Sequence, residues 1–147
     1  CQMANLEESM QQLNVTNETQ IDDLKEIWNA DFQIKLSLAR ALIRNPKILI
    51  LDDIFSQMDT DSILSFKERF DNIAKSRTVI LISRDLYNLT VCKKLMFFTG
   101  PILAQFGQTS NILNESGPAQ DLMKKQLRII SPKFEQTYQS LIKSVVS

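Results

Sequence analysis

The sequence predicts an α/β domain built on a parallel sheet. Three observations carry this. Lys47–Leu51 and Thr78–Ser83 are short, nearly continuous apolar runs, the pattern of strands buried on both faces. A stretch with helical spacing of apolar residues lies between them. That strand, helix, strand order is the signature of a parallel crossover.

Each element follows from local chemistry. Met3, Leu6, Met10 and Leu13 recur at helical spacing, so the chain opens with an amphipathic helix, followed by a polar connector over Asn14–Asp23. Ile34, Leu38, Ala41 and Leu42 share one face of a second helix. Asn45-Pro46 ends it, because proline disfavours a helical conformation in the residue before it. After the first strand, Thr60-Asp61-Ser62 offers capping oxygens, and Ile63, Phe66, Phe70 and Ile73 form the apolar face of a third helix. Leu86–Lys93 reads as a short helix after the second strand. Lys94–Thr99 and Ile102–Phe106 flank Gly100-Pro101 and read as a hairpin. Ser110–Leu113, Leu122–Ile130 and Phe134–Val145 read as closing helices, the last with Tyr138, Leu141 and Ile142 on one face. There is no internal repeat.

Composition narrows the function. At 147 residues and 44% hydrophobic content, the chain suits about one domain with a core. Seventeen basic and 17 acidic residues balance, so no global field draws nucleic acid or acidic lipid. The chain has no histidine, which removes the commonest general base and metal ligand. Cys1 and Cys92 make no disulfide framework, and reduced thiols are expected. No apolar run is long enough to span a bilayer, and no signal peptide is visible. The first residue is Cys1 rather than methionine, so a fragment or a processed product is expected.

The run ILILDDIFSQMD, Ile48–Asp59, sets two adjacent carboxylates at the end of an apolar strand. Two unpaired charges are costly to bury. In parallel sheets ligands bind beyond the carboxyl ends of the strands. Asp52 and Asp53 belong at that edge, and so do Ser83 and Arg84.

The longer run LARALIRNPKILILDDIFSQMD, Leu38–Asp59, resembles the second half of an ATP-binding cassette, the motor domain of ABC transporters. There a helix ending in "ARAL" is followed by an asparagine-proline turn, four apolar residues, an aspartate with a neighbouring acid (Walker B) and a D-loop ending in aspartate. TVILISRDL, Thr78–Leu86, is similar to the strand leading to the family's switch histidine. KLMFFTGPILAQFG, Lys94–Gly107, and Gln108–Leu113 resemble the hairpin and short helix that follow. Cys1–Leu13 is similar to the helical subdomain of exporter-type cassettes. The resemblance covers roughly positions 1–113. It implies a partial P-loop NTPase fold: residues 1–35 in the helical subdomain, 36–115 in the cassette core and 116–147 as C-terminal helices.

The resemblance implies ATP and Mg²⁺ as cofactors, with Asp52 holding the metal through water, which suits an ion that prefers oxygen and keeps its waters. Asp53 takes the place of the catalytic base, one methylene shorter than the family's glutamate. A base must lie within ~2.6–3.2 Å of its proton, so Asp53 is either a weakened base or a vestige. The signature LSGGQ aligns with Trp28-Asn-Ala-Asp-Phe32 without its glycines. Asn29, Ala30 and Asp31 then stand where backbone amides would meet a partner's nucleotide, and the Asp31 carboxylate would repel phosphate. Gln33 and Lys35 offer donors nearby. Asp59 is the D-loop aspartate or a helix cap. Arg84 replaces the switch histidine; it can bind phosphate but not accept a proton, or it can pair with Asp52 or Asp53. The glycine-rich phosphate loop is not among these residues: the chain holds only three glycines, and none forms one.

The implied function is that of a nucleotide-binding domain of an ABC transporter, coupling ATP to membrane transport with impaired catalysis. Its partners would be a second nucleotide-binding domain and a transmembrane permease domain at the cytoplasmic face of the membrane, with no nucleic acid. The alternative is a non-catalytic, cassette-derived interaction or regulatory module. A cassette ATPase of DNA repair or translation fits the neutral charge less well.

Overall fold

The computed structural model describes residues 4, 6–12, 14, 16, 18–20 and 29–146. Cys1, Met3, Leu13, Trp28 and half of the expected connector lie outside them. The chain divides into two compact units, Cys1–Ile80 and Leu81–Ser147.

The first unit carries helices α1 (Leu6–Gln12) and α2 (Ala30–Ile43), strand β1 (Ile48–Asp52), a 3-10 turn (Ile54–Gln57), helix α3 (Thr60–Ala74) and the start of strand β2 (Thr78–Ile82). α2 ends as the sequence predicts. Asn45 takes a left-handed φ of 45° and its N–H bonds to the Leu42 carbonyl before Pro46 stops the helix. β1 and β2 form a two-stranded sheet. The Thr78 N–H donates to the Lys47 carbonyl at 2.8 Å, start against start, so the strands run parallel.

The expectation of strands buried on both faces needs correction. Leu49 and Leu51 are 4% and 6% exposed, whereas Ile48 and Ile50 are each 61% exposed. β2 behaves alike, with Ile80 and Ile82 exposed. Successive strand residues point to opposite faces, and among the described residues only the Leu49–Leu51 face carries a packed layer. Its core includes Phe32, Leu38, Phe55, Phe66, Phe70 and Ile73. Phe55 meets Phe66 edge-on, ring centroids 5.3 Å apart, a geometry the ring quadrupoles favour.

The second unit holds a 3-10 helix (Leu86–Val91), the antiparallel hairpin β3 (Lys94–Thr99) and β4 (Ile102–Gln108), and helices α4 (Thr109–Asn114), α5 (Pro118–Ile130) and α6 (Phe134–Val146). The hairpin pairs Thr99 with Ile102 around Gly100-Pro101. Gly100 takes φ 59°, which glycine adopts at no steric cost. One cluster of Leu86, Leu89, Leu95, Ile112, Leu113, Met123, Leu127, Tyr138 and Ile142 forms the core. The Tyr138 hydroxyl donates to the Leu113 carbonyl, which satisfies an orphan acceptor at the end of α4. Cys92 is a free thiol, and burial pushes its pKa up to about 11.

Met123 is fully buried in this cluster, while Leu64 on α3 is exposed. Met123→Ala should destabilise the chain by about 2–5 kcal/mol in denaturant unfolding, and Leu64→Ala by less than about 0.5 kcal/mol.

Candidate functional site

β1 carries Asp52 to its carboxyl end, as the sequence predicts. Because Leu49 and Leu51 face the core, Asp52 falls on the exposed face with Ile48 and Ile50. Asp52 also lines a cavity of ≈ 200 Å³ between α2 and β1, whose walls include Ile34, Leu38, Ala41 and Leu49. The carboxylate is the one charged group in an otherwise largely apolar lining.

The next residue turns sharply. Asp53 has φ 47° and ψ 33°, a left-handed conformation that aspartate tolerates better than most side chains. Its carbonyl accepts the Ser56 N–H at 3.3 Å and the Ser56 hydroxyl at 2.8 Å. Asp52 and Asp53 thus leave the strand in different directions, with the turn fixed by hydrogen bonds on the backbone.

Asp59 caps α3. Its Oδ1 accepts the Ser62 N–H at 2.7 Å, satisfying an orphan donor of the first turn. The Ser62 backbone bond holds its pKa below the ordinary aspartate range, helped by the Ser62 hydroxyl and, more weakly, by the charge of Lys35. Of the two readings the sequence offered for Asp59, the cap is the one with a visible partner.

Asn29, Ala30 and Asp31 make the start of α2. Asn29 Oδ1 accepts the Phe32 N–H at 2.8 Å and caps the helix. Asp31 pairs with Lys35 one turn later, at 2.7 Å. Lys35 is buried, and its Nζ also donates to Ser9 Oγ on α1 at 2.9 Å. One Asp31 oxygen, Oδ2, is therefore engaged inside the molecule, while Oδ1 is buried without a hydrogen-bond partner. Trp28, the first residue of the aligned signature, lies outside the described residues.

Arg84 belongs to the second unit, on the segment after β2. Its carbonyl accepts from Gln126 Nε2 at 2.7 Å. Within the first unit the structure links the Asp31 and Asp59 regions through the charge of Lys35. The sequence reading treated Lys35 only as a spare donor and missed Gln126. The signal for both was a polar residue at a position where helical spacing points to the core.

Among the described residues no group of three histidine, cysteine, aspartate or glutamate side chains lies close enough to hold a metal ion. Nor is any described helix long and apolar enough to cross a membrane.

No family model matches the chain. Individual relatives do. The chain is 27% identical over 139 residues to P-glycoprotein 14 of Caenorhabditis elegans, covering 95% of this chain and 10% of that protein. It is 34% identical over 92 residues to ABC multidrug transporter MDR1 of Cryptococcus neoformans, covering 63% of this chain and 6% of that protein. A solved bacterial Atm1-family ABC exporter with ATP bound superposes with a TM-score of 0.59 at 25% identity, over 63% of this chain and 16% of that one. The chain thus spans about a tenth or less of the length of these two relatives.

Asp59→Ala should cost about 1 kcal/mol by removing the cap. Because the folded pKa is lowered, the cap contributes fully above about pH 4 and its contribution fades as pH falls through the lowered value. Unfolding free energies measured between about pH 2 and 6 should show this acid-side loss in the wild type and a smaller one in Asp59→Ala.

The α/β fold, the parallel strand pair and the relatives agree: this chain is homologous to the ABC multidrug transporters, in a segment resembling the C-terminal half of an exporter-type ATP-binding cassette.

Proposed function

We propose that the chain is part of a nucleotide-binding domain of an ABC transporter, that it helps couple ATP binding and hydrolysis to membrane transport, and that its catalysis is impaired. The observation that carries this is Asp52 at the carboxyl end of a parallel strand, followed by the left-handed turn at Asp53. Such strand ends are where α/β sheets bind ligands.

Asp52 fits a water-mediated contact to Mg²⁺, which needs few protein carboxylates when nucleotide phosphates supply the rest. With Mg²⁺ and ATP bound, the metal would neutralise charge on the phosphates. The phosphate cradle itself is not among these residues, so Asp52 alone gives the ion only a weak hold. Asp53 stands where water would be activated. Its shorter reach and fixed turn set its carboxylate back from the position a glutamate would occupy, and small misplacements of a base cost large factors in rate. By the resemblance Arg84 takes the place of the switch histidine, and a guanidinium supplies charge without accepting a proton. On this reading the partners are a second nucleotide-binding domain and a transmembrane permease domain, at the cytoplasmic face of the membrane.

A second reading is a non-catalytic interaction or regulatory module derived from the cassette. What favours it is the use made of the aligned signature and D-loop residues: Asn29 and Asp59 cap helices, and Asp31 pairs with Lys35. Side chains engaged in their own fold have less to offer a partner's nucleotide.

The first of two measurements tests the weak hold on nucleotide that both readings share, and the second separates them. The isolated chain should bind Mg-ATP with a Kd no tighter than about 1 mM by titration calorimetry. In a complete cassette carrying this segment, Asp53→Glu should raise the ATPase kcat by at least about tenfold. An unchanged background rate favours the module.

A further inference from the structure

Gln126 has no part in the function just described, yet it is tied to the segment that Arg84 occupies. It lies on α5 between Met123 and Leu127, both fully buried, so helical spacing turns it inward. Its side-chain amide spans the three residues that follow Ser83. Nε2 donates to the Arg84 carbonyl at 2.7 Å, with Asp85 Oδ1 a second acceptor at 3.4 Å. Oε1 accepts the Leu86 N–H at 2.9 Å. One donor and one acceptor meet one acceptor and one donor, so a single amide orientation satisfies both ends.

The Leu86 N–H opens the 3-10 helix Leu86–Val91, and the residue at its cap, Asp85, makes no side-chain cap hydrogen bond. Gln126 supplies that bond from another element. On the near side, Ser83 Oγ accepts the Asp85 N–H at 3.1 Å. The backbone from Ser83 to Leu86 is therefore held from both flanks. A leucine at position 126 would leave the Arg84 carbonyl and the Leu86 N–H without these side-chain partners. The glutamine makes sense where the two backbone groups need partners.

We propose that Gln126 is a positioning residue: it fixes the backbone of Arg84–Leu86 to α5 and so sets where residue 84 presents its side chain. Helix α5 thereby governs the segment that carries Arg84. This rests on reading Arg84 as the switch position of a cassette, but the clamp itself is testable without that reading.

The test is amide hydrogen exchange and backbone ¹⁵N relaxation on the whole 147-residue chain, comparing wild type, Gln126→Leu and Gln126→Glu. In Gln126→Glu a carboxylate oxygen would replace Nε2 and face the Arg84 carbonyl and the Asp85 carboxylate, so repulsion also withdraws the acceptor from Leu86. Leu86 exchange should rise roughly fivefold or more in both Gln126→Leu and Gln126→Glu, the worth of one hydrogen bond. Backbone order at Arg84 should fall in both variants. The Leu127 amide serves as the control for global opening. Unchanged Leu86 exchange in Gln126→Leu overturns the proposal, and so does a rise at Leu86 matched by Leu127 in both variants. If the clamp behaves as stated while Arg84→Ala leaves nucleotide turnover of a complete cassette unaltered, the clamp stands and the switch reading fails.

Discussion

The two-residue period of β1 is the constraint from which the candidate site follows. Burying Leu49 and Leu51 leaves no choice for their neighbours: Ile48, Ile50 and Asp52 must face the other way. A slip of one residue would put the Asp52 carboxylate into the apolar core, at a cost of several kcal/mol, so the register is strongly specified. The strand therefore does two jobs with one alternation. It anchors the first unit through its leucines and holds a carboxylate out at its carboxyl end. The left-handed turn at Asp53 then lets the chain bury Phe55 against Phe66 immediately afterwards.

Charge in the first unit is organised around Lys35. A buried ammonium needs partners, and it has them in Asp31 and Ser9, with Asp59 within reach of its field. The same cation thus ties α1 to α2 and favours the ionised cap of α3. Removing one member of such a buried pair costs more than the pair contributes, because the other is left uncompensated. Lys35 thus balances the Asp31 charge from within the fold.

Much of this was legible in the sequence, for reasons that differ by element. The C-terminal end of α2, the Gly100-Pro101 hairpin and the Asp52 strand end follow from local rules of proline, glycine and an apolar run that stops at a charge, and the structure bears them out. The cap at Asp59 was readable from an acid three residues before Ser62. The exposed faces of Ile48, Ile50, Ile80 and Ile82 were not readable, because a continuous apolar run looks the same whether one face or two are covered. Lys35 and Gln126 escaped for another reason. Their partners, Ser9 and Arg84–Leu86, lie 26 and about 40 residues away, and no local pattern announces a long-range hydrogen bond.

The most direct test of the account is paramagnetic relaxation by Mn²⁺-ATP in a complete cassette carrying this segment. Resonance broadening should centre on Asp52 and its neighbours at the end of β1 and vanish in Asp52→Asn. Broadening that ignores this substitution, or that centres on residues away from the strand end, would contradict the assignment of Asp52 to a nucleotide-bound metal.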